Sequence, residues 1–220
     1  MNILFYCPFK FSLKSKNIKT LGGIESLNIE LAKYLSNSKN KIFLASFCNK
    51  KFKQKNLVNI PIAELKNKKL DIKFDKIISS NDPTIFNYFK YSKNFLWLHN
   101  KLPIEKALRK KKFFSIIGNK ISAIFVSNYL LKKTSNIYNF KQKFVIPNFL
   151  DPSFSNIKPY TDKKPYFIWS VQRNKGLEEV IDIWINDINP KYKKFKLFIF
   201  GVNNFYLGKY NLQKLTNFNI

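Results

Sequence analysis

Arg173 and Lys175 stand together just before Gly176, in the stretch Ser170-Val171-Gln172-Arg173-Asn174-Lys175-Gly176. Of the 40 basic residues in the chain only Arg109 and Arg173 are arginine; the rest are lysine. A guanidinium offers a planar fork that meets a phosphate with two bonds, and an ammonium adds a point charge beside it. Upstream, the apolar run Tyr166-Phe167-Ile168-Trp169 predicts a buried strand. Downstream, Leu177, Val180, Ile181 and Trp184 fall at the spacing of an amphipathic helix. A loop between strand and helix, with free helix N–H groups and two cations, is suited to an anion. The plainer alternative is a pair of solvated loop charges.

Three further places carry residue types that could do chemistry. Gly22 and Gly23 precede a helical stripe of Ile24, Leu27, Leu31, Ala32 and Leu35. Paired glycines there admit a ligand close to the backbone, or simply make a tight turn. His99, the only histidine, follows the strand Phe95–Leu98 and so falls at a carboxyl end, the ligand-binding edge of a parallel sheet. A lone histidine can equally be structural. Arg109, Lys110, Lys111 and Lys112 lie beside Leu108, Phe113 and Phe114, within a predicted helix over 102–117. That mixture suits an amphipathic helix on an anionic membrane surface, or a solvated charged face.

The elements that must hold these residues follow from the rest of the chain. Its 220 residues are 45% hydrophobic, enough to build a core and exclude disorder. Cys7 and Cys48 form no metal or disulfide spacing, which suits a reducing compartment. No signal-peptide pattern opens the chain, and no apolar run reaches the ~18 residues of a membrane span. The expected location is the cytoplasm, peripheral to the inner face of the membrane if the basic segment docks there. A net charge of +27 attracts polyanions generally. The lysines are spread along the whole chain, arginine is scarce and no zinc or RNA-binding signature occurs, so specific nucleic-acid recognition is not expected.

Strands are predicted at Asn2–Cys7, Ile42–Phe47, Asp75–Ser79, Phe95–Leu98, Ala123–Val126 and Phe144–Ile146. A helix begins at Pro83, and Ser127 is placed to cap the next. The lysine-rich segment 50–69 has no evident element. Strands alternating with helical patterns predict an α/β fold with a doubly wound parallel sheet. The polar, proline-bearing stretch 149–164 divides residues 1–148 from a second α/β unit at 165–220. That unit is expected to be incomplete, leaving Trp169, Trp184 and Phe198 exposed.

In order, these pieces resemble the retaining family 4 glycosyltransferases, which have two facing Rossmann-like domains (the GT-B fold). The resemblance rests on five places. These are Leu21-Gly22-Gly23-Ile24-Glu25, the strand ending in His99, and Val126-Ser127-Asn128-Tyr129-Leu130. The others are Val145-Ile146-Pro147-Asn148 with Asp151, and Arg173 with Lys175-Gly176. It implies transfer of a sugar from a nucleotide-sugar to a sugar or lipid-linked hydroxyl acceptor, in glycan, glycolipid or cell-envelope polysaccharide synthesis, with no required metal or other cofactor. By the same resemblance Arg173 and Lys175 hold the donor diphosphate, Gly22 and Gly23 bring the first loop against the donor, and His99 lines the acceptor side. Gly22, His99, Arg173 and Lys175 are then expected to line one cleft. The family's later glutamate pair, spaced E-x7-E, has no counterpart here. The chain is therefore expected to be a fragment without transfer activity alone. The alternative is a non-catalytic, basic, surface-binding remnant of a transferase.

Overall fold

The computed structural model describes residues 1–13, 21–67, 72–89, 92–149, 164–170 and 176–200, with backbone alone at 66, 206–207 and 210–211. The chain divides into two units, Met1–Asn156 and Ile157–Ile220.

The first unit is built on an eight-stranded sheet: β1 (Asn2–Tyr6), β2 (Lys41–Ser46), β3 (Phe52–Gln54), β4 (Leu57–Pro61), β5 (Lys76–Ser80), β6 (Lys93–Leu98), β7 (Ser122–Phe125) and β8 (Lys143–Val145). The order is β3-β4-β2-β1-β5-β6-β7-β8. Every neighbouring pair is parallel except β3 with β4. From β1 the chain winds outward through β2 and β4, then returns to β5 and winds the other way. The result is a mostly parallel α/β sheet flanked by helices, Rossmann-like in character. Its reversal point lies between β1 and β5.

Burial on both faces explains why the strands read as apolar runs rather than alternating ones. Ile3, Leu4, Phe5 and Tyr6 of β1 are all buried. Leu4 and Tyr6 join one core with Phe43, Ile60, Leu98 and Phe125. Ile3 and Phe5 join another, under α1 (Gly23–Ser36), with Ile29, Ala32 and Leu44.

Two expectations need correction here. Segment 50–69 is not featureless: it supplies β3, the wholly buried β4 and α2 (Ile62–Lys66). The helix predicted over 102–117 is two short ones, α3 (Ile104–Arg109) and α4 (Lys112–Ile117). They are parted by Lys111, whose φ of 54° puts it in the left-handed region. That conformation breaks the i→i−4 ladder and redirects the chain. The segment beginning at Pro83 is helical but of the 3-10 type, Pro83–Tyr88. Ser127 caps α5 (Asn128–Lys133) through an Oγ that accepts the Leu130 N–H at 3.2 Å.

In the second unit β9 (Tyr166–Trp169) pairs in parallel with β10 (Lys196–Ile199). Between them runs α6 (Leu177–Ile183), which continues as a π-helical turn over Trp184–Ile188. Two short strands, β11 (Tyr206–Leu207) and β12 (Tyr210–Asn211), pair antiparallel. The stripe Leu177, Ile181 and Trp184 is buried, so the expectation of an exposed Trp184 is overturned. Phe167 meets the Trp184 ring at 5.4 Å, which gives that tryptophan its cover. β9 is not the buried strand predicted. Tyr166, Phe167 and Ile168 are 44%, 46% and 68% exposed, and only Trp169 is half-buried.

Candidate functional site

The carboxyl ends of β1, β5 and β6 converge where the sheet reverses direction. In such sheets neighbouring loops leave in opposite directions there and open a crevice. Buried Ser80, last in β5, is tied to Asn28 of α1 by reciprocal bonds of 2.8 and 3.0 Å. That pair clamps the start of α1 to the edge.

Asn81 follows, at φ 57°, a left-handed conformation that asparagine tolerates. Its side-chain Oδ1 accepts the His99 backbone N–H at 2.9 Å, and its carbonyl accepts from Lys112 Nζ at 2.7 Å. Asp82 caps the 3-10 turn, accepting from Thr84 N at 3.2 Å and Thr84 Oγ1 at 3.0 Å. Ser79 Oγ donates to the Asp82 carbonyl. Lys112 Nζ lies 3.6 Å from Asp82 Oδ1. One short turn thus fixes His99 on one side and Lys112 on the other.

The His99 ring packs on Trp97, with centroids 4.6 Å apart and planes at 42°. Both ring nitrogens are buried and have no hydrogen-bond partner among the described residues. Burial lowers the imidazole pKa from 6.5 to about 4, so the ring is neutral near pH 7. A neutral imidazole carries one donor and one acceptor, and both here await a partner. Tyr6, also at this edge, is buried, and its phenol pKa is raised by that burial, then by Asp82 and Tyr88. It stays protonated. The Cys7 thiol is pushed up in the same way, by burial and then Glu25, so it too stays protonated near pH 7.

Gly22 and Gly23 lie exposed at the start of α1. Neither has a positive φ. A Cβ on Gly23 would meet nothing within 4 Å, whereas one on Gly22 would stand 2.7 Å from Glu25 Oε2. Gly22 therefore makes room for a carboxylate folded back over the helix start, and that carboxylate already supplies negative charge there. Arg109, Lys110 and Lys111 are exposed, while Lys112 is half-buried and turned to Asn81. Arg173 and Lys175 lie outside the described residues, and with them the expected grouping of Gly22, His99, Arg173 and Lys175 in one cleft.

Sequence reasoning passed over Asn81 and Asp82. The signal available was Ser80-Asn81-Asp82-Pro83, a turn-forming run immediately after an apolar strand. No protein-family model matches this chain, and no curated protein matches it.

Proposed function

We propose that this chain is of glycosyltransferase type, built for a nucleotide-sugar donor and a hydroxyl acceptor with retention of configuration in the GT-B manner, and that without an E-x7-E pair it does not carry out transfer alone. The observation that carries the reading is His99. A half-buried, neutral imidazole, its two ring nitrogens buried and without a partner among the described residues, sits at the carboxyl edge of a Rossmann-like sheet, one strand from its reversal point. Such a group costs stability unless a ligand completes its hydrogen bonds. An acceptor hydroxyl can donate to one ring nitrogen and a sugar oxygen can accept from the other, which orients the acceptor for reaction. The resemblance assigns the donor diphosphate to Arg173 and Lys175, where positive charge stabilises the leaving phosphate.

Nucleoside diphosphates test this without requiring turnover. At least one of a uridine, guanosine, adenosine and cytidine panel should raise the melting temperature, and Arg173→Ala should lower that rise. No response to any of the four would end the reading. His99→Ala should leave the diphosphate response intact, since the resemblance puts this histidine on the acceptor side.

A second observation favours work at an anionic membrane surface. Leu108, Phe114 and Ile117 are 44%, 69% and 45% exposed, on the two helices that flank Lys110 and Lys111, the first of which ends at Arg109. Apolar side chains enter the headgroup layer while each cation near it adds roughly 1 kcal/mol. No described helix is long and apolar enough to cross a membrane. Flotation with phosphatidylglycerol vesicles should retain the chain, and Phe114→Ser with Arg109→Gln should release it. The same surface would serve a non-catalytic binding protein, which would bind vesicles and ignore all four nucleoside diphosphates.

A further inference from the structure

Beyond β6 the chain bends through Asn100 and Lys101 into α3, and a pocket of about 180 Å³ opens against the turn at Asn81. Its polar lining is Asn81, Asn100, Lys101, Lys106, Lys110 and Lys112, and two leucines complete the wall. At ~30 Å³ per water, that is space for about six waters, or for one phosphoryl group and part of its hydration.

Four lysines line this one hollow, and like charges held so near one another repel. Among the described residues the only carboxylate in ion-pair range of any of them is Asp82, at Lys112. Lys101 instead lies 5.1 Å from the Tyr129 ring centroid. Lysines are abundant in this chain, and chance alone would put some around any dent. Placement distinguishes this one: the carboxyl edge of a parallel sheet, next to the reversal point and sharing Asn81 with His99. Because the Asn81 Oδ1 is taken by His99, its amide N–H₂ remains to donate.

We propose that this pocket binds a phosphoryl group. A carboxylate has two oxygens and is best met by an arginine fork, and no arginine lines the pocket. A phosphoryl group offers three or more oxygens and up to two charges, which suits several separate point donors. In one respect the proposal rests on the transferase reading: there the occupant is a phosphate carried by the acceptor, held by the first unit, while His99 meets the acceptor's hydroxyl.

The test titrates full-length Arg173→Ala protein with inorganic pyrophosphate at ~0.15 M salt, so that Arg173 cannot supply the signal and long-range attraction is screened. Adding Lys106→Gln and Lys110→Gln, both at exposed positions, should weaken binding about tenfold or more, since each removes a charged hydrogen-bond donor. Lys132→Gln with Lys133→Gln on neighbouring α5, an equal loss of charge, should change it less than about threefold. Lys101→Gln alone gives an independent check and should also weaken it. Equal losses in the two double variants, or no saturable binding, would overturn the pocket. Vesicles containing phosphatidic acid separate the sources. Binding lost in Lys106→Gln/Lys110→Gln and displaced by pyrophosphate assigns the site to a lipid headgroup. Vesicle binding unchanged in that variant assigns it to a soluble phosphate ester. The nucleoside diphosphate panel with Arg173 intact stays separate: pyrophosphate binding without any diphosphate response keeps the pocket and removes the transferase.

Discussion

His99 and Lys112 are held by the same residue from different directions, and each makes a distinct prediction. Folded, the chain resists protonating the His99 ring until about pH 4, whereas the unfolded chain takes up that proton near pH 6.5. The unfolded state therefore binds more protons across this window, and stability falls as pH is lowered through it. Above pH 6.5 both states are neutral at this site and it contributes no slope. Melting temperature followed from pH 7 to pH 4 should drop more steeply in the parent than in His99→Gln; parallel curves would remove the buried imidazole as the cause. Lys112→Met should cost about 1–3 kcal/mol, because it strips the Asn81 carbonyl and the Asp82 carboxylate of a charged donor. Urea unfolding measures that, and unchanged stability would mean the turn holds without it. That a single histidine at a strand's carboxyl end deserved notice was legible from its position. That both its nitrogens would be orphaned was not, since this depends on Trp97 and on how the Asn81 turn seats the strand end.

The strands of the first unit that were legible are those whose apolar runs stand alone between turns: β1, β2, β5, β6, β7 and β8. β4 was hidden because Leu57-Val58-Asn59-Ile60-Pro61 carries an asparagine and a proline and lies among lysines. Asn59 is nonetheless wholly buried. Its Nδ2 donates to the Leu44 carbonyl at 2.8 Å and to Ser46 Oγ at 3.0 Å, and its Oδ1 accepts from Leu13 N at 3.2 Å. Only tertiary partners could make that side chain affordable, and no local pattern announces them. The break between α3 and α4 was invisible for a related reason. Apolar residues resume at Phe113 on its far side, and nothing in Arg109-Lys110-Lys111-Lys112 marks a left-handed residue. Because Lys111 sits at φ 54°, Lys111→Gly should stabilise the chain by up to about 1 kcal/mol, and Lys111→Ile should destabilise it by about as much or more. Reversed signs in urea unfolding would show that 104–117 is one continuous helix in solution.

At the scale of the whole chain the dominant quantity is charge. With +27 spread over 220 residues, most cations have no anion to meet. Two pairs that do come within ion-pair distance are Lys33–Glu30 and Lys112–Asp82. The Lys33–Glu30 pair is exposed and one helical turn apart, an arrangement worth a few tenths of a kcal/mol. Folding concentrates the remaining positive charge and so works against self-repulsion. Salt should weaken that repulsion more than it weakens the few attractions, because the Debye length shrinks from about 10 Å at 0.1 M toward about 3 Å at 1 M. The melting temperature should therefore rise as sodium chloride is raised from ~0.05 to ~0.5 M, by ~2–4 °C for each kcal/mol of repulsion relieved in a chain of this size. A flat or falling curve would show that the lysines are far enough apart to ignore one another. Replacing chloride with fluoride at equal ionic strength should change little if screening is the cause. Pyrophosphate at far lower ionic strength should raise the melting temperature further, and that excess should disappear in Arg173→Ala/Lys106→Gln/Lys110→Gln. A general field responds to ionic strength alone, whereas a site responds to which anion is present and to which lysines remain.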